Sequence, residues 1–258
     1  MLGRVTSMLG RIAFMPGRVK RVIWIFLGRW IFLPVWHENK WRDLFFYDAF
    51  MALSWNGISG DYAEFGSWGG RTFSLAHRQA RRFGNGAKLW AFDSFQGLPR
   101  QSKAQDEHPR WKQGIFSTSE SMFHAICAFH GIPRDEYQTV PGFYDQTLPQ
   151  LGATGAPTDI AFAYIDCDMY SSTMSVLEFL LPRLKHGMII AFDDYFCWSA
   201  TQLSGERRAQ LEFFSRHPRA GALHSVWMAR AVLRRRPENP GHLRVGSAKD
   251  IWPHSAHL

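Results

Sequence analysis

Ala161-Phe162-Ala163-Tyr164-Ile165-Asp166-Cys167-Asp168-Met169-Tyr170 decides how the chain is read. An apolar run that starts at Ile160 stops abruptly after Ile165 on two carboxylates, Asp166 and Asp168. A short apolar run bounded by charge fits a strand buried on both faces. Charges at the edge of a core lose hydration and need a partner there. In open α/β sheets, ligands bind just beyond the carboxyl ends of the strands. This strand end is therefore expected to be the working end of the molecule.

Working outward, strands are expected at residues 62–65, 88–92, 137–140, 160–165 and 188–192, with two weaker ones at 223–228 and 231–234. Helical spacing or capping residues mark 38–55, 72–82, 117–130, 172–184 and 205–216, and one helical turn is expected at 147–151. The residues at 96–114 read as a polar loop, with Ser117 or Thr118 as N-cap of the helix that follows. Repeated β-α alternation predicts a doubly wound, mostly parallel sheet of seven strands with helices on both faces. The domain is expected to span residues 38–236, with a basic, apolar, helical segment at 1–37 before it and a peripheral tail at 237–258.

The chain has 258 residues, 46% of them hydrophobic and 15% aromatic, enough for one large α/β core and against wholesale disorder. The net charge of +8 admits anionic partners without choosing one. No nucleic-acid-binding motif is present, so no nucleic-acid partner is expected. Cys127, Cys167 and Cys197 lack metal-ligand or redox spacing and read as reduced cytosolic thiols. Residues 1–37 carry Arg4, Arg11, Arg18, Lys20, Arg21 and Arg29 and no acid. Their apolar runs are shorter than the about 20 residues that a membrane span needs, and no signal-peptide cleavage site follows. Three readings stay open for this segment: a helix capping the domain, a contact between copies in a homo-oligomer, or a peripheral contact with the inner membrane surface of a cytoplasmic protein.

Chemistry-bearing residues gather at three strand ends. The first gives Glu64-Phe65-Gly66-Ser67-Trp68-Gly69-Gly70, whose glycines allow close backbone approach by a ligand or make a plain turn. The second gives Asp93, an acid placed to accept from ribose hydroxyls. The loop is not Gly-x-Gly-x-x-Gly and has no phosphate-binding Lys, which suits a nucleoside such as S-adenosylmethionine better than NAD. The third element is the pair of acid clusters Asp166/Asp168 and Asp193/Asp194, which a parallel sheet would bring to one edge. Either a hard cation such as Mg²⁺ joins them, or a basic residue pairs with one while others cap helices, as Asp168 could before Ser172.

Four segments taken together resemble the macrocin O-methyltransferase (TylF/MycF-like) family: Gly60-Asp61-Tyr62-Ala63-Glu64-Phe65-Gly66-Ser67-Trp68, Phe92-Asp93-Ser94-Phe95-Gln96-Gly97-Leu98-Pro99, Ile165-Asp166-Cys167-Asp168-Met169-Tyr170-Ser171-Ser172-Thr173 and Asp193-Asp194-Tyr195. Gly142-Phe143 and Thr147-Leu148-Pro149 are similar to its segment after the third strand. The resemblance implies a Rossmann-like class I, S-adenosylmethionine-dependent, Mg²⁺-assisted O-methyltransferase. Its acceptor would be a small hydroxylated molecule, a sugar or other natural-product scaffold. By position, Glu64, Gly66 and Gly70 would line the methionine part of the cofactor, with Asp93 holding the ribose, Ser94 beside it, and Gly142 and Phe143 near the adenine. Asp166, Asp193 and Asp194 would bind the metal. The chain departs from the family at Gly69-Gly70-Arg71, where Arg-Gly-Gly is usual, at Cys167, where Gly is usual, and at Ser171, where an acid is common. Met169 stands where related catechol-type enzymes have a lysine, so a lysine base does not carry over.

The expected mechanism has the metal lower the pKa of the acceptor hydroxyl while a base removes its proton. Asp168, His124 and His130 are the candidate bases, Asp166 could assist, and residues 96–114 read as a lid. Two other readings compete: an NAD-type oxidoreductase on the same topology, and a catalytically inactive relative working at a membrane surface.

Overall fold

The computed structural model describes residues 33–84, 86–108, 111–151, 155–196, 202–218 and 224–228. Helices α1 (Leu33–Trp55), α2 (Arg71–Arg82), α3 (Glu120–Phe129), α4 (Tyr144–Thr147), α5 (Tyr170–Leu180) and α6 (Gly205–Arg216) are interleaved with strands β1 (Asp61–Phe65), β2 (Leu89–Asp93), β3 (Tyr137–Pro141), β4 (Ile160–Ile165), β5 (Met188–Phe192) and β6 (His224–Met228). The strands form one sheet in the order β3-β2-β1-β4-β5-β6, and every pairing is parallel. The order reverses between β1 and β4, the switch point at which a doubly wound sheet opens a crevice. The expected strand at 231–234, the segment at 1–32 and the tail at 237–258 lie outside the described residues.

Alternation along the strands builds two cores. Ala63, Phe65, Ala163, Ile165, Ile190 and Phe192 face α5 and α6, whereas Tyr62, Phe162, Tyr164, Ile189 and Ala191 face α1, α2 and α3. A parallel sheet covered on both faces needs apolar residues at every strand position, so these strands read as unbroken runs. Among the described residues α1 runs from Leu33, earlier than the spacing from residue 38 suggested. It therefore crosses the boundary drawn at residue 37. Phe46, Ala49, Phe50 and Leu53 form its buried stripe at helical spacing. Phe46 packs on Tyr164 with ring centroids 5.1 Å apart, and Phe50 packs edge-on against Phe162 at 5.5 Å. Arg42 lies one turn before Phe46 on the same side and so reaches the carboxyl end of the sheet. Among the described residues, no helix is long and apolar enough to cross a membrane.

Candidate active site

Backbone hydrogen bonds that run one residue past the strands align the site. Gly66 N–H donates to Phe92 O at 2.9 Å, Asp166 N–H to Phe65 O at 2.8 Å, Asp193 N–H to Ile165 O at 2.9 Å and Gly142 N–H to Asp93 O at 3.0 Å. The first residue after each of β1, β4, β5 and β3 is thus held at one edge. A cleft of about 1220 Å³ opens there, lined by Gly66, Asp93, Ser94, Gly142, Phe143, Asp166, Asp168, Asp193 and Asp194 among others. Ligand sites commonly measure roughly 300–1,000 Å³, so this cleft has room for a nucleoside cofactor together with an acceptor.

Its glycine turn is shaped by contact. Gly66 has φ +95, and a Cβ on it would lie 1.9 Å from Asp166 O, so only glycine lets β1 and β4 close here. Gly70 is the left-handed N-cap of α2, and a Cβ on it would lie 3.3 Å from Ile126 and Phe123; it is absent from the cleft wall, which Gly69 lines instead. Glu64 is also absent from that wall. It is fully buried, accepts hydrogen bonds from Tyr62 Oη and Thr72 Oγ1, and stands behind Thr72, which does line the cleft. Burial is the main force that raises its carboxyl to about 8, against the pull of those two donors.

Asp93 faces the cleft, but its carboxylate already organises the turns around it. Oδ2 accepts from Ser67 N–H at 2.8 Å and Trp68 N–H at 2.9 Å, and Oδ1 accepts from Phe95 N–H at 2.7 Å. A carboxylate offers about four acceptor positions, which leaves one for a ribose hydroxyl. Burial raises the Asp93 pKa, and the three N–H donors oppose that rise.

The acids separate into three roles. Oxygens of Asp166, Asp194 and Glu206 all lie within 4.8 Å of one another. Glu206, from the first turn of α6, is fully buried and accepts from Cys167 N–H at 2.8 Å and Asp194 N–H at 2.9 Å, tying the ends of β4 and β5 together. Asp193 is turned to Arg42 instead. Arg42 Nη1 donates to Oδ1 at 2.5 Å and Nη2 to Oδ2 at 2.8 Å, and Tyr164 Oη also donates to Oδ1. Three acceptor positions of Asp193 are therefore spent on α1 and β4. Of the expected trio Asp166, Asp193 and Asp194, the structure gathers the first and last, adds Glu206, and commits Asp193 to an ion pair. Asp168 does not cap α5, whose N-cap is Met169 without a side-chain bond. It holds φ +59, a left-handed conformation that Asp tolerates, and its carboxyl hydrogen-bonds Asp194.

Burial first, then mutual repulsion, raises the pKa of Asp166, Asp168 and Glu206 well above the ordinary carboxylate range. Clustered buried carboxyls of this kind fit a hard divalent cation with oxygen ligands. His124 lies elsewhere: Nδ1 is 2.7 Å from Tyr137 Oη and Nε2 is 3.7 Å from Glu120, on the α3 side of β3 and away from the cleft wall. His130 is exposed at the end of α3 and does not line the cleft either.

The segment expected as a lid touches the start of α5. Asp106, fully buried, accepts from Ser171 N–H at 2.8 Å, and Lys103 Nζ lies 5.8 Å from the Tyr170 ring centroid.

Comparison with known proteins agrees with this geometry. The family model for macrocin O-methyltransferase (TylF) matches residues 42–213. A Streptomyces olivaceus protein, the 8-demethyl-8-(2,3-dimethoxy-alpha-L-rhamnosyl)-tetracenomycin-C 4'-O-methyltransferase, is 33% identical over 147 residues, covering 54% of each chain. The demethyldecarbamoylnovobiocin O-methyltransferase of Streptomyces niveus is 28% identical over 167 residues, covering 61% of each. The chain thus spans about half to three-fifths of the length of these curated relatives. Among solved structures, the calicheamicin methyltransferase CalS11 superposes with a TM-score of 0.60 at 21% identity, covering 93% of this chain and 88% of that one. The O-methyltransferase NovP gives 0.59 at 24% identity, covering 69% and 72%. From the glycine turn after β1 to the acids after β5, the match runs through every segment that builds the cleft, and the chain belongs to the macrocin O-methyltransferase family.

Proposed function

We propose that the chain is an S-adenosylmethionine-dependent O-methyltransferase, assisted by Mg²⁺, acting on a hydroxyl of a sugar or glycosylated natural product. The observation that carries this reading is the junction, in one cleft, of the Gly66 turn, Asp93 and the acids Asp166, Asp168 and Asp194, with buried Glu206 within 4.8 Å of Asp166 and Asp194. The two Streptomyces relatives, by their names, methylate a rhamnosyl-tetracenomycin and a demethyldecarbamoylnovobiocin, which supports the acceptor class.

In this reading the turn from Gly66 to Gly69 cradles the methionine part, Asp93 takes a ribose hydroxyl, and Gly142 and Phe143 border the adenine. Asp166 and Asp194 would hold the cation with Glu206, and Asp193 supports them from its pair with Arg42. A bound cation supplies neutralising charge and lowers the pKa of the acceptor hydroxyl. Asp168 is the base in this reading: it lines the cleft beside Asp166, and its contact with Asp194 fixes its direction. The walls hold the acceptor oxygen in line with the methyl group, a positioning effect worth much of the barrier.

Buried, free Cys127 and Cys167 support a cytoplasmic location. For residues 1–37 the proposal keeps a peripheral contact, read from six basic residues and no acid; liposome flotation of the full chain against a chain lacking them tests it. The methyltransferase reading itself is tested by thermal-shift titration with S-adenosylhomocysteine, with Mg²⁺ and with EDTA. A cofactor-dependent rise in midpoint is expected. A shift with NAD and none with S-adenosylhomocysteine would instead support the oxidoreductase reading.

A further inference from the structure

Two large aromatic rings stand half in solvent at the rim of the cleft. Trp68, from the turn after β1, is 51% exposed, and Phe116, two residues beyond the 96–114 segment, is 44% exposed. They meet edge to face with centroids 5.4 Å apart, and Phe116 meets buried Trp111 at 6.2 Å. All three rings line the cleft. Both rim residues have a left-handed backbone, φ +32 at Trp68 and φ +61 at Phe116. Bulky side chains rarely adopt that region, and holding one there costs about 1–3 kcal/mol. Such strain is retained where the surroundings impose it, and it is imposed here. Trp68 N–H is held by Asp93, and the base of the lid is closed by Leu98 N–H to Ile115 O at 3.0 Å and Gly114 N–H to Leu98 O at 2.9 Å. The strained backbone aims each ring at the cleft mouth, where it covers little of the core. The same cleft is lined by Asp166, Asp168 and Asp194. Its lining therefore combines half-exposed aromatic rings with a group of acids.

We propose that Trp68 and Phe116 form an acceptor subsite for a flat, apolar ring system attached to the hydroxyl-bearing sugar. This rests on the methyltransferase reading and adds the acceptor's second half. Stacking and edge contacts with the two rings hold the aglycone while the sugar reaches the acids. Each aromatic pair contributes about 0.5–1.5 kcal/mol beyond burial, so two rings together give an aryl preference of roughly tenfold.

The test uses the full chain saturated with S-adenosylhomocysteine and Mg²⁺. Dissociation constants for p-nitrophenyl rhamnoside, methyl rhamnoside and thymidine diphosphate are measured by ligand-observed NMR. The parent chain is expected to bind the aryl glycoside roughly tenfold more tightly than the methyl glycoside. Phe116→Ala and Trp68→Leu should each bring that ratio to about three, and the double variant to about one, while Phe116→Tyr keeps it. Phe116→Gly, which relieves the left-handed strain, should lower the ratio likewise with no fall in thermal midpoint, an outcome that a purely structural ring would not give. An aryl-to-methyl ratio below two in the parent, no aryl binding, a ratio unchanged by Phe116→Ala, or tighter binding of thymidine diphosphate than of the aryl glycoside overturns the subsite. The S-adenosylhomocysteine shift is read on the same samples. Its loss would count against the methyltransferase reading, and its presence with no aryl preference would count against the subsite alone.

Discussion

Replacing Arg42 by Gln removes the cation that α1 inserts among the acids. Two charge-assisted hydrogen bonds to Asp193, at 2.5 Å and 2.8 Å, and one to Tyr164 Oη at 3.0 Å are lost. Asp193 is left 6% exposed beside Asp194 and Asp166, with only Tyr164 to support its charge. Removing one partner of a buried ion pair costs about 3–5 kcal/mol, because the other charge stays buried and uncompensated. For a domain of this size that corresponds to roughly 10 °C in midpoint. Urea denaturation at pH 7 in EDTA measures it directly. The double variant Arg42→Gln/Asp193→Asn should lose less than the sum of the single variants, since the uncompensated charge is gone. Mg²⁺ should restore more stability to Arg42→Gln than to the parent, because a positive charge that competes with the cation has been removed. A cost below about 1 kcal/mol in EDTA, where an exposed pair would fall, together with additive double-variant energies, would refute the view that Arg42 neutralises this site.

Other expectations follow from the same geometry. The raised Glu64 pKa, about 8 against an ordinary 4.5, means that the folded state keeps this carboxyl protonated. Its stabilising contribution is whole below pH 4.5 and is lost as pH rises through 8, so Glu64→Gln should flatten the decline in midpoint between those values by a few kcal/mol; parallel stability–pH curves for parent and variant would contradict this. Gly66→Ala places a Cβ 1.9 Å from Asp166 O at φ +95, and should cost several kcal/mol, read as a large fall in midpoint or loss of soluble protein. Asp166→Ala should abolish methyl transfer while keeping S-adenosylhomocysteine binding within several-fold, since Asp166 stands on the acceptor side; calorimetry and a labelled-methyl assay on one preparation check both halves.

Much of the frame was legible from residue pattern alone. Ile160–Ile165 and Met188–Phe192 were readable to the residue because apolar runs ended on acids. Ser119, rather than Ser117 or Thr118, caps α3, a choice that depends on which hydroxyl reaches Met122 N–H. Relations between distant residues were not legible. Glu206 sits in the first turn of α6, where an acid ordinarily offsets the helix dipole. Its role comes from Gly205, whose missing Cβ would lie 2.5 Å from Tyr170 N and so lets α6 press against the turn between β4 and α5. Arg42 and Asp193 are 151 residues apart, and no local pattern pairs them. His124 lies away from the cleft wall for a simpler reason. Phe123 and Cys127 form the buried face of α3, and that rotation turns His124 to Tyr137. The separation between a Glu64 that braces the turn and a Thr72 that lines it also depends on packing behind β1, which the motif does not encode.

The most direct measurement of the central claim is anomalous diffraction from crystals grown with S-adenosylhomocysteine and Mn²⁺. One Mn²⁺ peak is expected among Asp166, Asp194 and Glu206, with Asp193 still paired to Arg42 and the nucleoside seated between the Gly66 turn and Phe143. A cofactor bound outside this cleft, or a cleft that binds the cofactor with Mn²⁺ absent from the acids, would contradict it.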